Sequence, residues 1–351
     1  MQLYNKFSKE ELKARLEQET FKRKTISFYR YVRIEEPQAF RDDCYRQWNQ
    51  LNCFGRIYIA REGINAQMSI PEHELDQFLQ LLDNTQGLEK MPIKYAVEDD
   101  GKSFYKLTIK VRPKIVADGL DDQAFDVTNV GTHLSAKEFH DLIDDSSTLL
   151  IDMRNHYESE VGHFKGAVCP EADTFREEIE MVVADFQDQK DRKVLLYCTG
   201  GVRCEKASAY LKHHGFKDVN QLHGGIIEYA RQIKQLNLDS KFIGKNFVFD
   251  ERLGERISNQ VIALCHQCGR ACDTHTNCAN NLCHILFIQC EECAKQYQGC
   301  CTDECKTVLN ANEEERLLYV QDFKRKFGNR KSFRKSIDNK LSQTQHSATE
   351  Q

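Results

Sequence analysis

Nowhere does the chain approach the ~18 consecutive apolar residues that a membrane helix needs, so no membrane partner is expected. The opening residues Met1-Gln2-Leu3-Tyr4-Asn5-Lys6 lack the apolar core of a secretory signal. The expectation is a cytoplasmic chain, where thiols stay reduced. Its 15 cysteines are therefore read as catalytic or metal-bound rather than as disulfides. Prolines are few, 5 in 351 residues, and hydrophobic residues make up 40 %, which marks a globular chain. Strong net charge is missing too, and a balance of −5 does not by itself point to nucleic acid. There is no two-histidine-one-carboxylate set, no haem-ligand pattern and no glycine-rich dinucleotide fingerprint, hence no nicotinamide or flavin signature.

What is present centres on Lys193-Val194-Leu195-Leu196-Tyr197-Cys198-Thr199-Gly200-Gly201-Val202-Arg203-Cys204-Glu205-Lys206-Ala207-Ser208. The short apolar run Val194–Tyr197 reads as a fully buried strand. Ala207, Tyr210 and Leu211 recur at helical spacing, with Gly215 where a C-terminal cap belongs. Cys198 thus falls at the carboxyl end of a strand, above a helix N-terminus, where open α/β sheets bind ligands. Gly200 and Gly201 let the loop curl with its N–H groups inward, and Thr199 and Val202 complete it. Arg203 and the helix dipole add positive charge. A cysteine in that field is expected to be a thiolate near neutral pH, either a nucleophile or a persulfide carrier. A merely structural cysteine would sit in apolar surroundings, and this loop has the opposite composition.

Cys198-x4-Arg203 after a strand resembles the active-site loop of rhodanese domains. The upstream residues Asp152-Met153-Arg154, Glu158, Gly162-His163 and Gly166-Ala167 agree, as does Leu222-His223-Gly224-Gly225 downstream. Related cysteine phosphatases have one more residue between Cys and Arg, so the shorter loop fits sulfur chemistry better. The resemblance puts Cys198 at the persulfide position and Cys204 where rhodaneses usually have serine. Cys204 is then either a resolving thiol or itself the reactive one. Asp152 is expected to order the loops and Arg154 to form a buried ion pair.

The fold class expected is α/β and multidomain. Residues 1–115 alternate as β-α-β-β-α-β, the ferredoxin-like split pattern, with an acylphosphatase-like sheet as the natural form. The strands expected there include Thr25–Tyr31, Gly55–Ala60, Ile64–Ile70, Ile93–Val97 and Phe104–Val111, with helices opening at Pro37 and Pro71. Arg56, Arg61 and Asn65 are candidate RNA contacts, although Arg61-Glu62-Gly63 reads equally well as a plain turn. Residues 116–132 read as a linker. A capping box at Ser135-Ala136-Lys137-Glu138 opens a doubly wound parallel sheet over residues 133–240.

Residues 241–310 form a cysteine-rich unit, with ten of the 15 cysteines between Cys265 and Cys305. Cys265-x2-Cys268 and Cys290-x2-Cys293, about twenty residues apart, have the spacing of a four-thiolate structural zinc site, although an iron–sulfur cluster uses the same ligands. Cys272, Cys278, Cys283, Cys300, Cys301 and Cys305 suffice for a second ion interleaved with the first, but their spacing selects no set. Residues 311–351 are expected to be a disordered basic tail. Lys324, Arg325, Lys326, Arg330 and Lys331, with Phe327 and Phe333 among them, are candidate RNA contacts.

Taken over residues 20–305, the chain resembles the bacterial tRNA uridine hydroxylases, rhodanese-containing proteins. The residues that carry this are Gly55-Arg56, Arg61-Glu62-Gly63-Ile64-Asn65-Ala66, Asp152 to Glu158, Cys198 to Lys206, Phe242 to Asp250 and the cysteine cluster. The resemblance implies oxygen-dependent conversion of the wobble uridine of tRNA to 5-hydroxyuridine, with molecular oxygen as co-substrate. The residues alone support a cysteine enzyme with an RNA-binding surface. A sulfurtransferase remains the second reading and a non-enzymatic scaffold the third.

Overall fold

The computed structural model describes residues 3–319. The candidate contacts Lys324, Arg325, Lys326, Arg330 and Lys331 lie outside the described residues. The chain begins with a helix that sequence reading passed over, α1 (Lys9–Glu17), held by a reciprocal capping box between Ser8 and Glu11. The first sheet comprises β1 (Arg23–Tyr31), β2 (Phe54–Ala60), β3 (Gly63–Pro71), β4 (Lys94–Tyr95) and β5 (Leu107–Val111). Its order is β4-β1-β3-β2-β5, antiparallel throughout except for the β2–β5 pair. The first four strands give the expected ferredoxin-like arrangement, and β5 extends it. Helices α2 (Pro37–Gln50) and α3 (Leu75–Asp83) cover one face, where Trp48 meets Phe28 and Phe78 edge-on.

Three expected elements differ, the strand expected over 104–111 beginning only at Leu107. Pro71 ends β3 rather than opening a helix, because it remains extended and one 3-10 turn precedes α3. The strand expected over 93–97 shrinks to Lys94–Tyr95. There the Asp99 carboxylate accepts the Thr25 N–H at 2.6 Å, in place of a further ladder bond.

The second sheet, ordered β6-β10-β9-β7, is parallel. It comprises β6 (Thr132–Leu134), β7 (Leu149–Asp152), β9 (Lys193–Tyr197) and β10 (Asp218–Leu222). Between β7 and β9 lie α5 (His156–Ser159), β8 (Gly162–Phe164) and α6 (Phe175–Asp185). Helices α4 (Ala136–Leu142) and α8 (Gly225–Gln235) pack on one face, α6 and α7 (Val202–His213) on the other. Val194 and Leu196 of β9 enter one core and Leu195 and Tyr197 the other, so the strand is apolar throughout. Helix α7 ends as expected at Gly215: its N–H reaches Lys212 O at 3.0 Å and that of Phe216 reaches Leu211 O at 3.1 Å.

Residues 116–131 hold no regular element but are tied down. Lys114 Nζ binds Asp118 at 2.6 Å and Asp122 at 2.8 Å. The buried Lys206 of α7 bridges Glu62 and Asp122, each at 2.8 Å. The chain continues through β11 (Phe242–Asn246) and β12 (Glu255–Arg256), then β13 (His275–Asn277), β14 (Leu286–Ile288), α9 (Glu291–Tyr297) and α10 (Asp303–Asn310). Among the described residues no helix is long and apolar enough to cross a membrane.

Candidate active site

The loop after β9 closes around the Cys198 sulfur. Gly201 N–H donates to Cys198 Sγ at 3.1 Å, and the backbone amides of Arg203 and Cys204 add to the positive potential there. Gly201 adopts φ +99°, which lets the chain turn directly into α7. Gly225, at φ +68°, packs against the back of the loop. A Cβ there would lie 2.5 Å from Cys198 O and 2.7 Å from Gly200 N, so the loop needs a glycine behind it.

Burial alone would raise the Cys198 thiol. The Cys204 S–H donated to it, the Arg203 guanidinium and the loop N–H groups outweigh burial and bring its pKa down to about 5. Burial and this same hydrogen bond push Cys204 far upward. The two thiols are thus unlike: Cys198 is the ionised sulfur facing the cavity, and Cys204 is its neutral donor, fully buried behind it.

Arg203 departs from the simple expectation of an arginine open to an anion. Its guanidinium is clamped by Glu158, at 2.6 and 2.8 Å, so its charge reaches Cys198 from a fixed, neutralised position. Glu158 stands in the sequence motif, but its role needed the fold to bring α5 under α7. Arg154 forms the expected buried ion pair, and its partner is Asp152 itself, at 2.8 and 2.6 Å. Arg154 also donates to Gly162 O at 2.6 Å, which ties the end of β7 to β8.

Cys198, Thr199, Gly200, Val202 and Arg203 line a cavity of about 400 Å³, within the usual range for small-molecule sites. Its far wall comes from the first sheet. Tyr29 of β1 donates to Glu205 at 2.9 Å, and Tyr31 donates to Val202 O at 3.2 Å, so β1 braces the start of α7. Lys94 of β4 is 8 % exposed, with Nζ 4.5 Å from the centre of the Tyr29 ring. Burial draws its pKa down to about 8, against the pull of the Cys198, Glu228 and Glu205 charges. No carboxylate pairs with it among the described residues. Of the candidate RNA contacts, Arg56 and Asn65 line this cavity, whereas Arg61 sits on the exposed β2–β3 turn away from it. Sequence reading missed Tyr29 and Lys94, which carry no motif and reach the loop only through the packing of two sheets.

Cys265, Cys268, Cys290 and Cys293 converge, with all four sulfurs within 4.8 Å of one another. Cys278, Cys283, Cys301 and Cys305 form a second such set, which the spacing had not selected. Along the chain the pairs alternate: first set, second set, first set, second set. Cys272, Cys300 and the nearby His266, His275 and His284 belong to neither. Sulfur contacts of 3.7 Å join Cys268 to Cys290, Cys283 to Cys301 and Cys301 to Cys305. Tetrahedral zinc with bonds of about 2.3 Å requires sulfur edges of about 3.8 Å, so both donor sets fit such an ion.

Residues 23–115 match the UPF0176 acylphosphatase like domain, 135–232 the Rhodanese-like domain and 243–306 the Rhodanase C-terminal family. A tRNA uridine(34) hydroxylase of Leptospira interrogans is 58 % identical over 313 residues, covering 89 % of this chain and 85 % of its own. One of Yersinia pestis is 54 % identical over 314 residues, covering 89 % and 88 %. A solved rhodanese-like domain from Anabaena is 21 % identical, covering 32 % of this chain and 78 % of its own at a TM-score of 0.26. With more than half of all positions shared over nearly nine-tenths of its length, the chain belongs to the tRNA uridine(34) hydroxylase family.

Proposed function

We propose that this chain hydroxylates the wobble uridine of tRNA at C5, with molecular oxygen as co-substrate and Cys198 as nucleophile. The observation that carries the mechanism is the Cys198 thiolate facing a cavity roofed by a second sheet. A uracil held there presents C6 to the sulfur. Addition at C6 moves negative charge onto C5 and O4, and the enolate-like C5 becomes the site that meets oxygen. Lys94, cationic at neutral pH, and the loop amides supply positive potential where that charge develops. Arg203 acts through Glu158 as a positioning residue for the loop, and the Asp152–Arg154 pair fixes the strand end beside it. Arg56 and Asn65 are assigned to the nucleotide, and the exposed Arg61 to a neighbouring phosphate.

Each four-cysteine set would hold one structural zinc, which cross-links segments too small and polar to pack alone. Metal analysis of the purified chain is then expected to give two zinc ions. Cys265→Ser and Cys278→Ser should each remove one, and a chain with no bound metal would refute the assignment.

The test of function is nucleoside mass spectrometry of tRNA from a gene-deletion strain carrying the wild-type or the Cys198→Ala gene. Only the wild type is expected to restore 5-hydroxyuridine and its derivatives. Restoration by Cys198→Ala would overturn the nucleophile assignment. Loss of a thiolated nucleoside instead would favour sulfur transfer.

A further inference from the structure

Hydroxylation by molecular oxygen places one oxygen atom in the base and must reduce the other to water, which takes two electrons that uridine does not supply. The loop holds a matching pair of thiols. Both sulfurs are buried in one core cluster; Cys198 lines the cavity and Cys204 does not, and the Cys204 side chain helps to hold the Cys198 charge. Its backbone is fixed as well, since Cys204 N–H bonds Gly201 O at 3.0 Å. Cys204 therefore does not face a base in the cavity, yet it packs in the same buried cluster as the sulfur that does.

We propose that Cys198 and Cys204 are the two-electron donor of the reaction, with Cys204 as the resolving thiol. This rests on the hydroxylase reading above. After Cys198 adds to C6, C5 combines with oxygen to give a C5 hydroperoxide. Loss of the C5 proton expels the Cys198 thiolate and restores the C5–C6 double bond. The freed thiolate attacks the distal hydroperoxide oxygen. The O–O bond breaks, 5-hydroxyuridine takes up a proton, and Cys198 becomes a sulfenic acid. Cys204 then attacks that sulfur, forming the Cys198–Cys204 disulfide and releasing water. In sum, one uridine, one dioxygen and two thiols give one 5-hydroxyuridine, one water and one disulfide. An external dithiol reopens the bond at Cys198, the sulfur that the cavity exposes.

The division of labour follows from the geometry. The sulfur on the cavity wall meets the oxidant as a thiolate, the reactive form. The shielded one is held protonated until its neighbour is oxidised, so it cannot compete for the base. The five cysteines outside the loop and the two four-cysteine sets, Cys44, Cys53, Cys169, Cys272 and Cys300, do not line the cavity.

The experiment uses the full chain, reduced and then freed of reductant, with total tRNA from the deletion strain in aerated buffer. The expected yield is one 5-hydroxyuridine per chain, with an equal amount of Cys198–Cys204 disulfide by peptide mass mapping. Added dithiol restores turnover. Cys204→Ser is expected to give the first product and then stop, with Cys198 trapped by dimedone as the sulfenic acid. Product formed while both thiols stay free, turnover without reductant, or equal disulfide in the absence of tRNA would each overturn the proposal. No 5-hydroxyuridine from the wild type even with dithiol would instead refute the hydroxylase reading on which it rests.

Discussion

Replacing Cys204 with alanine removes a thiol that helps to hold the Cys198 thiolate and leaves Arg203 and the loop amides in place. A hydrogen bond to a charged group contributes about 1.5–3 kcal/mol. At about 1.4 kcal/mol per pKa unit, its loss raises Cys198 by about 1–2 units. The pKa then moves from about 5 to about 6–7. At pH 6 the thiolate share falls from roughly nine-tenths to between a half and a tenth. Cys204→Ser keeps a donor in place and should leave the value near that of the wild type. The assay is the pH dependence of Cys198 alkylation by iodoacetamide, read on the peptide that carries it. If the alanine variant titrates with the wild type, the Cys204 thiol is not what holds the charge, and the loop amides and Arg203 suffice.

Other expectations follow from the same contacts. The rate is expected to rise with pH as Cys198 ionises near 5 and to fall as Lys94 loses its proton near 8. Lys94→Met should lower the rate and abolish the alkaline limb, and Lys94→Arg should extend the plateau; a wild-type profile flat from pH 7 to 9 removes Lys94 from this role. The depressed Cys198 pKa also adds stability, full above the ordinary thiol value of about 9 and lost as pH falls through about 5, so Cys198→Ala should flatten the pH dependence of unfolding across that window. Glu158→Gln leaves Arg203 buried without its counter-charge and should cost about 3–5 kcal/mol in urea denaturation. Glu178→Gln should cost little, because that buried carboxyl has no hydrogen-bond partner among the described residues and burial keeps it protonated. Gly225→Ala should abolish activity and lower the melting temperature, whereas Gly200→Ala, whose Cβ meets no atom within 4 Å, should fold normally.

The parts of the site legible in the sequence are local ones. Cys198, the two glycines and Arg203 sit within six residues, and a strand and a helix announce themselves on either side. Cys265 and Cys268 form one turn, as do Cys290 and Cys293, so their pairing follows from spacing. The second set breaks that rule. Its ligands are separated by four, 17 and three residues, and Cys301, not the adjacent Cys300, faces inward. Only the β13–β14 hairpin and the start of α10 decide this. Lys94 and Tyr29 were hidden for a different reason. Each reads as an ordinary strand residue, and each acquires its role from a unit more than a hundred residues away along the chain, 176 between Tyr29 and Glu205. Glu158 was visible as a motif member, but that it clamps Arg203 depends on the approach of α5 to α7.

The alternation of the two cysteine sets has a consequence for biosynthesis. A chain leaving the ribosome completes its first four-sulfur set only at Cys293, after Cys278 and Cys283 are already trapped in the span between. The second set then closes with Cys305, from both sides of the first. Neither half can be inherited, excised or proteolysed as a separate module, since every cut between Cys268 and Cys301 severs at least one set. A chain that stops between Cys293 and Cys301 keeps only the first set entire, and one that stops before Cys293 keeps neither.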